Sequence, residues 1–280
     1  MILNENTLSI FFEEKIDQNF QRVDKSLKSY LADPKNEKHV HDVRTSLRRL
    51  DTLYSLLPKK LRKRIRRQIE KYKDFFRANS KIRDLDIIRN NIAALGKGTS
   101  DASRLELQLS RRRQTELSRA IKLAKSLEKV SSIAIKSTRP CKIESRLNKI
   151  IDRLSIRIKE ILPITLSDST KKEELHMLRK NCKKLCYIFE ILPGSHIKKY
   201  NKKVVSAIGA KNLKKIQERL GTIRDSDITI EYLQNSRSEF AKQLVIKEAG
   251  KRDYLYRQFL KYMKIDHLFI FALCYRRCQA

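Results

Sequence analysis

Hydrophobic residues recur along this chain at spacings of three and four positions, which is the pattern of an amphipathic α-helix. The first such stretch carries Leu8, Phe12, Ile16, Phe20, Val23 and Leu27. Asp33-Pro34 ends it, because proline cannot continue a helix and restricts the residue before it. The sequence has no alternating β pattern of convincing length, so we predict an all-α protein.

The second predicted helix has an apolar face and a cationic face. Its apolar positions are Val43, Leu47, Leu50, Tyr54 and Leu57, and Pro58 closes it. At about 100° per residue, the opposite side of the helical wheel collects one imidazole and three guanidinium groups. These groups belong to His41, Arg44, Arg48 and Arg49. We therefore expect one face of this helix in the core and the basic side chains on the face away from it.

A helix break is predicted later in the first half. A strongly basic helix runs from about Leu61 to Ala78. Ile82-Arg83-Asp84-Leu85-Asp86 is expected to interrupt it and to open a short helix that reaches about Leu95. A glycine-containing loop and a long helix follow, and Thr138-Arg139-Pro140 is the best candidate for a boundary.

The second half of the chain repeats the first. A shift of 135 residues pairs His41 with His176, Arg44 with Arg179, Arg48 with Lys183 and Arg49 with Lys184. Ile82-Arg83-Asp84-Leu85-Asp86 then matches Ile223-Arg224-Asp225-Ser226-Asp227 at a shift of 141. Charged positions match as well as apolar ones, so an internal duplication explains the pattern better than chance. Each copy is predicted to supply four helices plus a short one.

The charge of the chain narrows the class of partner. Lys and Arg number 64 against 32 for Asp and Glu, which gives a formal net charge of +32. Such a charge attracts polyanions over distances near the Debye length. Nucleic acid, a polymeric phosphate and an anionic membrane surface are the candidate partners, and a merely solvated basic surface is the plain alternative.

Apolar runs and cysteine usage indicate the compartment. The run from Leu268 to Tyr275 is far shorter than the roughly 20 residues that a membrane-spanning helix needs. The 5 cysteines are an odd number, and the N-terminal residues contain no signal-peptide core, which argues against a disulfide framework. We expect a cytoplasmic protein without membrane insertion.

The basic helices carry the candidate chemistry. Arginine offers a planar fork of donors that suits phosphate oxygens, and lysine offers a point charge. Cations spaced by three, four and seven residues form a strip that can follow a linear anion. A histidine in that strip donates from both nitrogens once it is protonated. The alternative interpretation is a solvated helix face whose histidine makes an ordinary hydrogen bond.

Other candidate sites give weaker signals. Three roles fit the carboxylates that follow Arg83 and Arg224: capping the next helix, orienting these arginines, or holding Mg²⁺. We expect the capping role. The pairs Cys182 with Cys186 and Cys274 with Cys278 have metal-ligand spacing, but they lie in apolar-rich turns, so we predict no metal and no cofactor.

The paired motifs resemble a known family. His-x-x-Arg-x-x-x-Arg-Arg from His41 and His-x-x-Arg-Lys-x-x-Lys-Lys from His176, each followed by Arg-Asp-x-Asp, are similar to the CHAD family, the conserved histidine α-helical domain. The resemblance implies one compact domain over residues 1–280, with two pseudo-symmetric helical-bundle repeats at about 7–135 and 141–278. It also implies a basic central pocket or channel that binds inorganic polyphosphate.

The resemblance also implies a set of binding residues. By position in the motifs these are His41, Arg44, Arg48, Arg49, Arg83, His176, Arg179, Lys180, Lys183, Lys184 and Arg224. The matched Arg22 and Arg157 are weaker additions. The second copy has Lys183 and Lys184 where the first has Arg48 and Arg49, so forked contacts are not expected at these two positions.

Three functions are compatible with these features of the sequence. The leading expectation is non-catalytic binding of polyphosphate in the cytoplasm, to which the resemblance adds association with polyphosphate granules. RNA or DNA binding is the alternative, with nucleic acid as a competing polyanion. It needs stacking aromatics among the cations, whereas Tyr54, Tyr187, Phe75 and Phe76 fit apolar stripes and Trp is absent. The third function is metal-dependent hydrolysis of phosphoanhydrides, which we do not expect.

Overall fold

The computed structural model describes residues 5–95, 100–128, 140–192, 210–236 and 238–266. Every regular element in these ranges is an α-helix, which confirms the predicted all-α fold. The chain divides into two compact units, Met1–Leu147 and Asn148–Ala280. None of the helices in the described ranges is both long and apolar enough to cross a bilayer.

The first unit contains four long helices, each of which packs against the next one along the chain. Its helices are α1 (Glu5–Ala32), α2 (Glu37–Leu56), α3 (Lys59–Leu95) and α4 (Ser100–Glu128). Helix α2 packs against α1 and α3, and α4 packs mainly against α3. Large side chains that are fully buried, among them Phe12, Tyr30, Phe75 and Ile82, form the core. The rings of Tyr30 and Phe75 meet edge to face at 5.3 Å.

The second unit has the same kind of core. Helix α5 (Pro140–Ser167) contains the boundary between the units, and α6 (Lys172–Ile191), α7 (Ala210–Gln234) and α8 (Glu239–Asp266) follow. Helix α7 packs against both α6 and α8. The buried core includes Leu178, Cys182, Leu185, Ile216 and Phe259.

Local signals explain where α2 begins and ends. The side chain of Asn36 caps the helix by accepting a hydrogen bond from the backbone N–H of Lys38 at 3.0 Å. At the other end, Leu57 is extended, as expected for a residue that precedes a proline. Both features place the basic helix at the position that the hydrophobic pattern predicts.

The helix bounds of the two halves are related by a constant displacement. Helices α1 and α2 begin at Glu5 and Glu37, and α5 and α6 begin at Pro140 and Lys172, which is 135 residues further in both cases. Their ends are displaced by the same amount. The pseudo-symmetric relation of the repeats and the basic central pocket or channel stay predictions.

The predicted helix break in each copy is wrong. Helix α3 runs without interruption from Lys59 to Leu95, and α7 runs through residues 223–227. Asp86 and Asp227 therefore cap no helix start, and the predicted extra short helix is absent from the described residues. Aspartate has a weak helix propensity, but these two carboxylates are buried against arginine partners, and that contact overrides the local preference.

Candidate functional site

Two guanidinium groups of α2 lie over one aromatic ring of α3. The Cζ atoms of Arg44 and Arg48 are 5.3 Å and 5.2 Å from the centroid of the Phe76 ring. The two arginines are one helical turn apart, so both reach the same point on the neighbouring helix. The negative face of a ring attracts cations. Phe76 therefore holds two like charges close together.

The depth of these arginines differs from the prediction. Only 8% of Arg44 is exposed, although the helical wheel predicts it on the face away from the core. Helix α3 packs against that side of α2, and the ring of Phe76 covers the guanidinium. Arg48 and Arg49 are half-buried, and His41 is exposed. The basic side chains of α2 therefore differ in depth, from the buried Arg44 to the exposed His41.

A cleft lies between α2 and α3, beside Arg48. Its volume is about 240 Å³, and it is lined by Leu47, Arg48, Leu50 and Asp51 of α2 and by Ile69, Tyr72, Lys73, Phe76 and Arg77 of α3. The Lys73 ammonium lies 3.7 Å from Asp51 and 3.2 Å from Glu70, and Arg77 pairs with Asp74. The guanidinium of Arg48 is instead stacked on the ring at the edge of the cleft. No carboxylate of the described residues pairs with Arg48, so an incoming anion displaces none of them from it.

The remaining predicted residue of the first copy lies on α3. Arg83 is half-buried and follows Phe76 by seven residues. Seven residues are about two helical turns, so Arg83 lies on the same side of α3 as Phe76, roughly 10 Å further along the axis. The structure thus gives the first copy a cationic strip that extends beyond the two stacked arginines.

In the second unit an arginine lies across a glycine. A Cβ atom at Gly221 would be 3.5 Å from Nε and 3.8 Å from Nη2 of Arg179. The Arg179 guanidinium, carried by α6, therefore passes over the bare backbone of α7. Where the first unit supports its buried arginine with an aromatic ring, the second supports the matched arginine with a helix surface.

Three cations surround the imidazole of His176. Burial lowers the pKa of His176, and the charges of Arg224, Lys180 and Arg179 lower it further, with Glu173 opposing them. Among the described residues, its buried Nδ1 atom has no hydrogen-bond partner. The structure thus brings together four of the predicted residues of the second copy, from α6 and α7, around one half-buried ring.

The other predicted residues of the second copy lie along α6. The Lys183 ammonium is 5.9 Å from the centroid of the Tyr187 ring on its own helix, and Lys184 is half-buried. Arg224 also pairs with Glu231, its Nη1 atom 3.0 Å from Oε1. A ligand that binds Arg224 therefore competes with the exposed carboxylate of Glu231.

The four aromatic residues that the sequence places in apolar stripes differ in burial. Phe75 is fully buried, as its place in the apolar stripe predicts. Phe76, Tyr54 and Tyr187 are half-buried instead, and a cation lies over each ring. These rings support the basic side chains, a role that the pattern of one helix alone does not indicate.

Burial governs the two cysteines that the structure describes in full, Cys182 and Cys186. Burial raises the pKa of Cys182, and burial and the neighbouring charge of Glu190 raise that of Cys186 to about 11. Both thiols therefore stay protonated near neutral pH. Within the described ranges, no three His, Cys, Asp or Glu side chains come together as metal ligands. Cys274 and Cys278 lie outside those ranges.

The sequence predictions do not include two arginines that the structure pairs with buried aspartates, the nearly buried Arg113 and the buried Arg252. Nε of Arg113 donates to Asp86 at 2.6 Å, and Nε of Arg252 donates to Asp227 at 2.7 Å. A signal for them exists, because Arg113 stands four residues after buried Leu109 and four before buried Leu117. A cation in the apolar stripe of a helix indicates a buried acidic partner.

Comparison with known proteins gives one match. A family model described as CHAD domain matches residues 14–234 of the chain. The match includes α2, α6 and both Arg-Asp-x-Asp segments, and it ends before α8. A search of curated proteins finds no match.

Proposed function

The chain belongs to the CHAD domain family, and from this premise we propose that it binds inorganic polyphosphate without catalysing a reaction on it. The observation that carries the proposal is the convergence of Arg179, Lys180 and Arg224 on the half-buried imidazole of His176. Like charges held this close repel one another, and a phosphate chain relieves that repulsion. The stacked Arg44 and Arg48 give the first unit a comparable concentration of charge.

The chemistry of the side chains fits phosphate. Guanidinium groups donate two parallel hydrogen bonds to a phosphate, and charge-assisted bonds are roughly twice as strong as neutral ones. Neutralising several phosphates also releases counterions, so affinity falls steeply with salt. The proposed contacts are His41, Arg44, Arg48, Arg49 and Arg83 in the first unit, and His176, Arg179, Lys180, Lys183, Lys184 and Arg224 in the second.

Nucleic-acid binding is less well supported. It requires ring faces on which bases stack. A cation already covers one face of Phe76, Tyr54 and Tyr187. We therefore expect nucleic acid to compete weakly with polyphosphate. A nucleic acid that displaces polyphosphate at equal phosphate concentration reverses this preference.

Isothermal titration with long-chain polyphosphate tests the proposal. We expect saturable binding at about 0.1 M salt, near physiological ionic strength, and weaker binding as salt rises. Absence of binding under these conditions contradicts the proposal. Incubation of polyphosphate with the protein and Mg²⁺ or Mn²⁺ tests the hydrolase alternative, and we expect no release of orthophosphate.

A further inference from the structure

Each unit contains an arginine with little exposure whose fork makes two different contacts. In the first unit, Nε of Arg113 donates to Asp86 at 2.6 Å, and Nη2 donates to the backbone carbonyl of Lys35 at 3.0 Å. The side chain of Arg113 is 11% exposed and that of Asp86 is fully buried. We call this set of three groups the first clamp.

The second unit has the same arrangement. Nε of Arg252 donates to Asp227 at 2.7 Å, and Nη2 donates to the carbonyl of Ser169 at 2.7 Å. Both side chains of this second clamp are almost fully buried, at 7% and 2% exposed. Arg113 lies on α4 and Arg252 lies on α8. These are the fourth described helices of the two halves, so the two arginines occupy equivalent places in the order of elements.

The clamps hold the two segments that aim the basic side chains. Lys35 lies in the turn just before α2, and Ser169 lies in the turn just before α6. Asp86 follows Arg83 by one helical turn, and Asp227 follows Arg224 by the same distance. Each clamp therefore joins the start of a His-bearing helix to the turn that carries the arginine of the neighbouring helix.

We propose that Arg113 and Arg252 are positioning residues for anion binding, which they support by fixing the start of α2 and α6 relative to α3 and α7. This inference rests on the proposed function of the basic helices. A planar fork with two partners in fixed directions sets both distance and orientation. Neither arginine belongs to the basic faces, so each acts through the residues that do.

The conservative substitutions Arg113→Lys and Arg252→Lys test this role. Lysine keeps the charge beside the aspartate but cannot hold both partners in a fork. Arg111→Lys and Arg257→Lys, at exposed positions of the same helices, are the matched controls. If Arg113→Lys does not fold, Asp86→Asn replaces it, because the amide keeps an acceptor oxygen and nearly the same shape.

Two measurements on folded variants give the result. By isothermal titration we expect about tenfold weaker polyphosphate binding, at the lower end of the cost of losing an orienting partner at a ligand site. We also expect a shallower dependence of affinity on salt, because about one phosphate contact per clamp is lost. Hydrogen exchange of the free protein is expected to accelerate at the first turn of α2 or α6 and to stay unchanged in the controls.

The outcomes separate this inference from the proposed function. Variants that bind polyphosphate as tightly as the wild type, with the same salt dependence and only a lower melting temperature, overturn the positioning role and leave polyphosphate binding intact. Unchanged exchange at the start of α2 and α6 also overturns it. Failure of the wild type to bind overturns the proposed function, while the exchange measurement still shows whether the clamps fix these helices.

Discussion

At the scale of single residues, matched positions of the two copies have different surroundings. Arg44 is buried against Phe76, whereas Arg179 is half-buried over Gly221. His41 is exposed, whereas three cations crowd the half-buried His176. The sequence itself supplies the residue types and their spacing. Their depth depends on side chains from other helices, which the pattern of one helix does not contain.

The lowered pKa of His176 makes stability depend on pH. Below about pH 6.5, the ordinary value for histidine, the unfolded chain takes up a proton here more readily than the folded protein. The stability tied to the neutral ring is thus present above that pH and is lost as pH falls toward the lowered pKa. We expect urea unfolding to show a smaller loss of stability from about pH 7 to pH 5.5 in His176→Gln than in the wild type.

A control and a ligand sharpen this measurement. Met177→Gln changes an exposed neighbour that does not titrate, so it should retain the pH dependence of the wild type. Polyphosphate opposes the three cations and should raise the pKa of His176, which makes the wild type take up protons on binding. Identical pH profiles for His176→Gln and the wild type contradict the cationic surroundings described for this ring.

Gly221 offers a second test at this scale. A Cβ atom there would meet Arg179 at ordinary contact distance, and a Cβ at Gly250 would meet nothing within 4 Å. Both glycines lie inside helices, so Gly221→Ala and Gly250→Ala should each raise the free energy of unfolding by about 0.5–1 kcal/mol. Gly221→Leu should weaken polyphosphate binding by displacing Arg179, and Gly250→Leu should not. Equal binding by the two leucine variants contradicts the position of Arg179.

At the scale of helices, the ends are more predictable than the interiors. Pro34 and Pro58 separate α1, α2 and α3 as the sequence predicts, because proline acts through local backbone geometry. The predicted break at residues 82–86 fails because the decisive partner of Asp86 is Arg113, which lies on another helix. Local rules for capping cannot include a contact between residues so far apart in the chain.

A pair of aspartate variants distinguishes capping from ion pairing. Asp86→Ala leaves Arg113 buried without its carboxylate and should cost about 3–5 kcal/mol of stability. Asp84→Ala, at a half-buried position, should cost less, because Asp84 is less deeply buried than Asp86. Urea denaturation followed by circular dichroism measures both. Similar small losses for the two variants favour the capping role that the sequence predicts.

At the scale of the molecule, the net charge of +32 acts on every polyanion. Composition predicts this general attraction, but it cannot separate a defined site from a diffuse field. The distinction lies in where the cations are held. Lys73 faces two carboxylates, and Arg44 and Arg48 are stacked on one ring.

Removal of equal charge from two places tests whether a defined site exists. Arg44→Ala combined with Arg179→Ala removes two cations from the basic helices. Lys71→Ala combined with Lys247→Ala removes two from exposed positions. Both pairs reduce the general field alike, so we expect the first to weaken polyphosphate binding at least about tenfold more than the second. Equal losses in isothermal titration indicate diffuse attraction without a defined site.

The contacts of Arg252 with Asp227 and Ser169 affect how fragments of this chain should be chosen for expression. The stretch recognised by the family model stops at residue 234, yet the guanidinium that neutralises Asp227 comes from α8. A recombinant fragment that ends at residue 234 would keep Asp227 and lose Arg252, its ion-pair partner. The face of α7 that packs against α8 would then be exposed to solvent. A fragment of this half that is designed for expression should therefore extend through α8, past the boundary that sequence comparison draws.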